Sequence, residues 1–259
     1  MSTQITTELI KQLRDSTGIS VMQCKRALEE AQGDMKKALA ILKKTSSDIA
    51  LKKMSREVKD GRVCIKTDAK KAVLVSLHCE TDFVSRNEDF VNLLQKLAEM
   101  AFTEGGEKMK LSAKDMIDPI IQKTGENIVL GEMYEVVGDV LGSYVHNNKS
   151  GVIVSLTGGS AELAKDIAMH ITAMKPEYMS ESEISEETKK TMNEIFEKEV
   201  ANIDKSAEIK KKMLEGKMNT YFKEKTLLTQ PFIKDGDELV GKLLEKNGAT
   251  IKEVKRYSI

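Results

Sequence analysis

Apolar positions recur at helical spacing three times within the first fifty residues. Thr7 is a capping type before Leu9, Ile10 and Leu13, and this first pattern ends at Thr17 and Gly18. Ser20 opens a second stretch, with Gln23 at capping-box spacing and Val21, Met22, Cys24 and Leu28 leading to Gly33. Asp34 then caps a third, with Met35, Ala38, Leu39, Ile41 and Leu42 at helical intervals. Three short helices predict one small module, residues 1–54. The charged run from Lys43 to Lys59 has weaker periodicity and reads as a helical or extended linker, which places a boundary near Met54.

Beyond it the period changes from helix to strand. Val63–Lys66, the polar turn Asp68–Lys71 and Ala72–His78, with Val73, Val75 and Leu77 on one face, predict a β-hairpin, and a helix follows from about Glu88. The order then returns: Leu141–Val145, a turn at 147–151, Val152–Leu156 and a helix from Ser160 to Met174. The second strands share Val-x-Val-Ser-Leu, which predicts a duplicated β-β-α unit with each sheet packed on its helix. Between the copies lie a helix around Ala113–Thr124 and the apolar Ile128-Val129-Leu130. After Lys175-Pro176 two heptad-like stretches, Met192 to Ile203 and Ile209 to Phe222, flank Asp204-Lys205-Ser206 and predict an antiparallel coiled-coil hairpin. A helix around Glu238–Lys246, closed by Asn247-Gly248, and a final strand near Ile251–Tyr257 complete the chain. The resulting organisation is α+β: a three-helix module (1–54), a first core subdomain (55–140), a second begun at 141–180, the helical hairpin (181–225) and completion of the second subdomain (226–259).

Composition narrows the chemistry. The 259 residues hold 41 Lys and Arg against 41 Asp and Glu, so no long-range field of one sign draws in nucleic acid or an anionic membrane. Cys24, Cys64 and Cys79 stand far apart without CxxC spacing, as expected of reduced thiols in a cytoplasmic protein. His78, His146 and His170 sit in no metal-ligand spacing and read as core or surface residues; neither a metal nor a cofactor is expected. Gly158-Gly159-Ser160 has the position of an anion-binding turn but lacks the Lys-Ser/Thr pair of a P-loop, so it reads as a turn and N-cap. No active site emerges, and the chain is not expected to be an enzyme. One feature stands apart. Where the second copy joins strand to helix by a short turn, the first has the longer Glu80-Thr81-Asp82-Phe83-Val84-Ser85-Arg86-Asn87. Phe83 there is either a core or staple residue or an aromatic anchor offered to a partner.

Several motifs occur in one order: Thr17 to Leu28, Cys79-Glu80-Thr81-Asp82-Phe83-Val84, Gly125-Glu126-Asn127, Gly138 to His146, Ala168-Met169-His170, Lys175-Pro176 and Gln230-Pro231-Phe232. Together they resemble the translation elongation factor Ts family of bacteria and organelles, over nearly the whole chain. Thr124 stands where that family commonly has an apolar residue, and Ile19-Ser20 where it commonly has Ala-Gly.

The resemblance implies a guanine-nucleotide exchange factor for the GTPase elongation factor Tu, met in its GDP-bound and nucleotide-free states, with no nucleotide, nucleic acid or membrane bound by this chain itself. It implies a ubiquitin-associated fold for the amino-terminal module. It also implies that Thr81, Asp82, Phe83 and Val84 dislocate the partner's Mg²⁺, Phe83 by pushing between helices and Asp82 by holding what is displaced. Lys25, Gly125, His146, Phe232 and Ile233 are the further contacts it suggests. A single heterodimer and a dimer of heterodimers are both open. The alternative function is a ribosome- or RNA-associated translation accessory module using the Lys-rich hairpin, against which the zero net charge argues.

Overall fold

A computed structural model describes residues 5–259, which form two compact units. The first comprises the chain up to Val137 together with Val145–Gly151 and Lys255–Ile259.

It begins with α1 (Thr7–Thr17), α2 (Val21–Glu30) and α3 (Met35–Lys53). The expected cap at Thr7 is corrected to Thr6, whose Oγ1 accepts the Leu9 amide at 3.3 Å; Thr7 is already helical. Ser20 and Asp34 cap α2 and α3 as their spacing predicts. Leu13, Ile19, Cys24, Leu28, Ala38 and Leu42 close the core of this module. The charged run is helix only as far as Lys53, where α3 ends, and residues 54–59 are turn and irregular chain leading to the first strand. Periodicity is weak in the helical part because α3 lies along α6 (Gly106–Thr124) through polar groups: Lys43 pairs with Asp115 at 2.6 Å and Ser47 donates to Asp118 at 2.7 Å.

The first sheet has the order β1-β2-β3, from β1 (Asp60–Thr67), β2 (Lys71–Cys79) and β3 (Ile128–Val137), all antiparallel. Val73, Val75 and Leu77 of the central strand pack on α5 (Glu88–Glu104) and α6 through Phe90, Leu94, Leu97, Met109 and Ile117. The long connection after β2 folds as a one-turn helix, α4 (Asp82–Arg86), because Thr81 adopts an extended backbone and its Oγ1 accepts the Val84 amide at 3.5 Å.

The second unit, Gly138–Tyr144 with Val152–Val254, holds the repeat. Its sheet, β4 (Val140–His146), β5 (Ser150–Thr157) and β8 (Thr250–Ser258), has the order β4-β5-β8, with strand ends that belong to the first unit. Val152, Val154 and Leu156 pack on α7 (Ala161–Met174) as their counterparts do on α5. Gly158 and Gly159 turn the chain at φ 76° and 74°, and Ser160 caps α7 by accepting the Leu163 amide. α8 (Glu186–Ala201) and α9 (Ala207–Lys225) form the antiparallel hairpin, with Phe196 edge-on to Tyr221 and Glu199 paired to Lys217. The helix expected from Glu238 begins at Val240 as α10 (Val240–Lys246); Glu238 belongs instead to β7 (Asp235–Leu239), which pairs with β6 (Pro231–Phe232).

Candidate functional site

Among the described residues, the one exposed Phe or Tyr stands on the short helix α4. Phe83 is 83% exposed, so of its two readings the core or staple role fails. An aromatic side chain left in water forfeits on the order of 2 kcal/mol of burial, and its neighbours explain how the fold holds it there. Val84 and Ser85 are buried, Val84 within the first unit's hydrophobic core, so the helix is nailed down on the face opposite Phe83. Asp82 is half-buried and pairs with Arg86 at 3.1 Å one turn on.

Thr81 faces inward. Its Oγ1 donates to Glu126 Oε1 at 2.6 Å while accepting from Val84, and its carbonyl receives the Ser85 amide and the Cys79 thiol, at 3.2 Å each. Burial, with Asp60 and Glu126 nearby, pushes the Cys79 thiol up to about 12, so it stays protonated and unreactive. Burial likewise raises the Cys64 thiol.

Glu126 reaches further than Thr81: its Oε2 accepts the backbone amides of Glu80 at 3.1 Å and Thr81 at 3.0 Å. In return Glu80 Oε1 accepts the Asn127 amide at 2.6 Å and lies 3.4 Å from Arg56 Nη1. Asn127 is buried and donates through Nδ2 to the Arg56 carbonyl at 2.9 Å. Antiparallel pairing explains the meeting, because Cys79 lies opposite Ile128 at the end of the β2–β3 ladder and residues 80 and 127 follow on either side. In the sequence Glu80, Glu126 and Asn127 are letters of two separate motifs with no role of their own. Reading Ile128–Leu130 as a strand paired with β2 would have joined them.

The remaining expected contacts lie on separate elements. Gly125 ends α6 in the left-handed conformation at φ 79°, next to Glu126 and thus at the base of the tip. Lys25 is exposed on α2 beside Glu29 at 3.8 Å, and His146 is exposed at the end of β4. In the second unit Ile233 is 45% exposed, whereas Phe232 is buried against the His170 ring. His170, fully buried, accepts the Ile233 amide on Nδ1 at 3.2 Å, and its Nε2 meets Gln230 Oε1 at 2.9 Å. His78 is tied through Nε2 to the Tyr257 hydroxyl at 2.8 Å. Among the described residues no cluster of His, Cys, Asp or Glu could hold a metal, and no helix is long and apolar enough to cross a membrane.

Residues 80–259 match the family described as Elongation factor TS, and residues 4–42 match a UBA-like domain. The chain is 40% identical over 262 residues to elongation factor Ts of Hahella chejuensis, covering 98% of this chain and 92% of that protein. It is 38% identical over 269 residues to the elongation factor Ts of Thioalkalivibrio sulfidiphilus, covering 98% and 92%. Against that of Aeromonas hydrophila it is 38% identical over 269 residues, covering 98% and 90%.

Proposed function

The chain belongs to the elongation factor Ts family, and from that premise we propose that it is a guanine-nucleotide exchange factor for elongation factor Tu in translation. In this reading it binds the GDP form in the cytoplasm and displaces Mg²⁺ and phosphate contacts. It releases GDP without making or breaking a covalent bond, and GTP can then rebind. The observation that carries the proposal is the exposure of Phe83 on a turn whose other face is anchored in the core. Such an aromatic is a preformed wedge, since the backbone that carries it has little freedom left to lose on docking.

Phosphate and Mg²⁺ contacts hold a nucleotide tightly, so exchange requires the factor to bind the loosened state of its partner better than the closed one. By reciprocity GDP then weakens the factor's own grip to the same degree. Acceleration of about ten-thousandfold needs roughly 5.5 kcal/mol of differential stabilisation. Burying one Phe provides about 1.5 to 3 kcal/mol. Further contacts must therefore hold the partner while the wedge enters, and Lys25, Gly125, His146 and Ile233 are the candidates. Phe232, buried against His170, acts by holding the segment that presents Ile233. Thr81 and Val84 act by holding the tip, Asp82 and Phe83 by touching the partner; Asp82 must exchange Arg86 for a group of the partner.

The test is stopped-flow release of a fluorescent GDP analogue from elongation factor Tu. The wild-type chain is expected to accelerate release. Phe83→Ala should remove about 2 kcal/mol of that effect, roughly thirtyfold in rate, and Asp82→Ala a smaller part. No acceleration by folded protein would overturn the proposal. Salt-dependent RNA affinity in its place would favour the accessory-module reading, although bases on the hairpin are interleaved with acids, as in the Lys217–Glu199 and Lys212–Glu208 pairs.

A further inference from the structure

We propose that Glu126 is a positioning residue for the exchange tip, acting with Glu80 as a two-way carboxylate clasp that sets the direction in which Phe83 is presented. The inference rests on the exchange reading of Phe83. A five-residue helix cannot hold itself, because nucleating a helical turn costs more than its few internal hydrogen bonds return. Something outside α4 must fix where it starts. Val84 and Ser85 anchor the turn's inner face, but burial of that face alone leaves the backbone entering the turn free. The clasp closes that freedom at the residues immediately before the helix.

One Glu126 carboxylate takes three hydrogen bonds there, from the Glu80 amide, the Thr81 amide and the Thr81 hydroxyl. An ionised carboxylate is acceptor-only and these bonds are charge-assisted, so the arrangement suits Glu at this position. The hydroxyl bond also has a direct consequence for the cap. Thr81 has one proton to give; giving it to Glu126 turns its lone pairs toward the Val84 amide, which starts α4. Glu80 grips in the opposite sense, accepting the Asn127 amide, and buried Asn127 ties this corner to the Arg56 carbonyl. Thr124, which departs from the family pattern, adds to it: its hydroxyl donates to the Ile120 carbonyl at 2.8 Å and accepts the Glu126 amide at 3.4 Å.

Three variants of Glu126 separate positioning from folding. In Glu126→Gln the amide oxygen can still accept both backbone amides and the NH₂ can donate to Thr81 Oγ1. Glu126→Asp keeps the charge but is one methylene short of spanning residues 80 and 81. In stopped-flow GDP release, Glu126→Ala and Glu126→Asp should lower the limiting rate about tenfold, with the half-saturating concentration changed less than about threefold, and Glu126→Gln should recover most of the rate. Combined with Phe83→Ala, Glu126→Ala should cost less than about twofold more, because a clasp acting through Phe83 has nothing left to position. Full additivity with Phe83→Ala, or an unaltered rate in both Ala and Asp variants, would overturn the proposal. Amide hydrogen exchange of residues 82–86 in the free protein gives a reading independent of exchange activity: faster in Ala and Asp, restored in Gln. If the wild type fails to accelerate release, the exchange reading falls. The clasp then stands or falls on that protection pattern, and unchanged protection in Ala and Asp sinks it.

Discussion

His170 shows at the scale of one residue how a buried polar group can serve an exposed one. The Ile233 amide can only donate, so Nδ1 must be unprotonated, which puts the single ring proton on Nε2, facing Gln230 Oε1. Burial lowers the pKa of this imidazole, outweighing the Gln230 bond that acts in the other direction. A folded-state pKa below the unfolded value of about 6.5 means that the unfolded chain takes up the proton first. The stability from the neutral ring is complete above that pH and is lost as pH falls below it. His78, lowered by burial and by Lys149, works in the same direction. The urea midpoint should therefore be level from about pH 8 to 6.5 and decline toward 5.5, and His170→Gln should flatten part of that decline. An undiminished slope in a folded variant would mean that other groups carry it.

Elements differ from residues in what constrains them, as Gly142 illustrates. A β-carbon there would stand 2.1 Å from the Lys165 nitrogen and 2.2 Å from the Ala164 carbonyl carbon, both in the backbone of α7, which cannot swing aside as a side chain can. Gly142→Ala should push β4 from α7 and lower unfolding free energy by about 1–3 kcal/mol, read from denaturant melts. A neutral result would show that strand and helix separate freely. In sequence Gly142 is only one letter of a motif. The caps at Ser20, Asp34 and Ser160 were legible because each acts within three residues, and the Val-x-Val-Ser-Leu strands because burial of one face imposes alternation. The second half of α3 was less legible because its neighbour α6 offers Asp118 and Gln122, so polar Ser46 and Ser47 take positions on the packed face where apolar residues would mark the period.

For the whole molecule, the repeat and the hairpin have separate supports. Among the described residues, the hydrophobic cluster of the second unit is built from β5, α7, α10 and residues such as Leu227 and includes no side chain of α8 or α9. The hairpin's base is closed by backbone: the Glu177 amide donates to the Lys225 carbonyl at 2.8 Å and Leu227 to Tyr178 at 2.9 Å. Replacing residues 186–221 with a short Gly-Ser linker should thus leave one cooperative melt within about 3 °C of the parent, with helical ellipticity reduced by the hairpin's share. Loss of cooperativity would place the hairpin inside the folding unit.

Sequence alone determined the helix-rich α+β class, the two hairpin-and-helix copies and the long helical hairpin, because periodicity, capping and turn chemistry operate over a few neighbouring residues. It also singled out the stretch around Phe83 as unlike its counterpart in the other copy. Only the tertiary structure decided that Phe83 stands in water while Val84 is buried, and that Glu126 holds the turn between them and the sheet. Those facts depend on pairing between β2 and β3, which brings together residues 46 apart, and no pattern within either segment encodes that register.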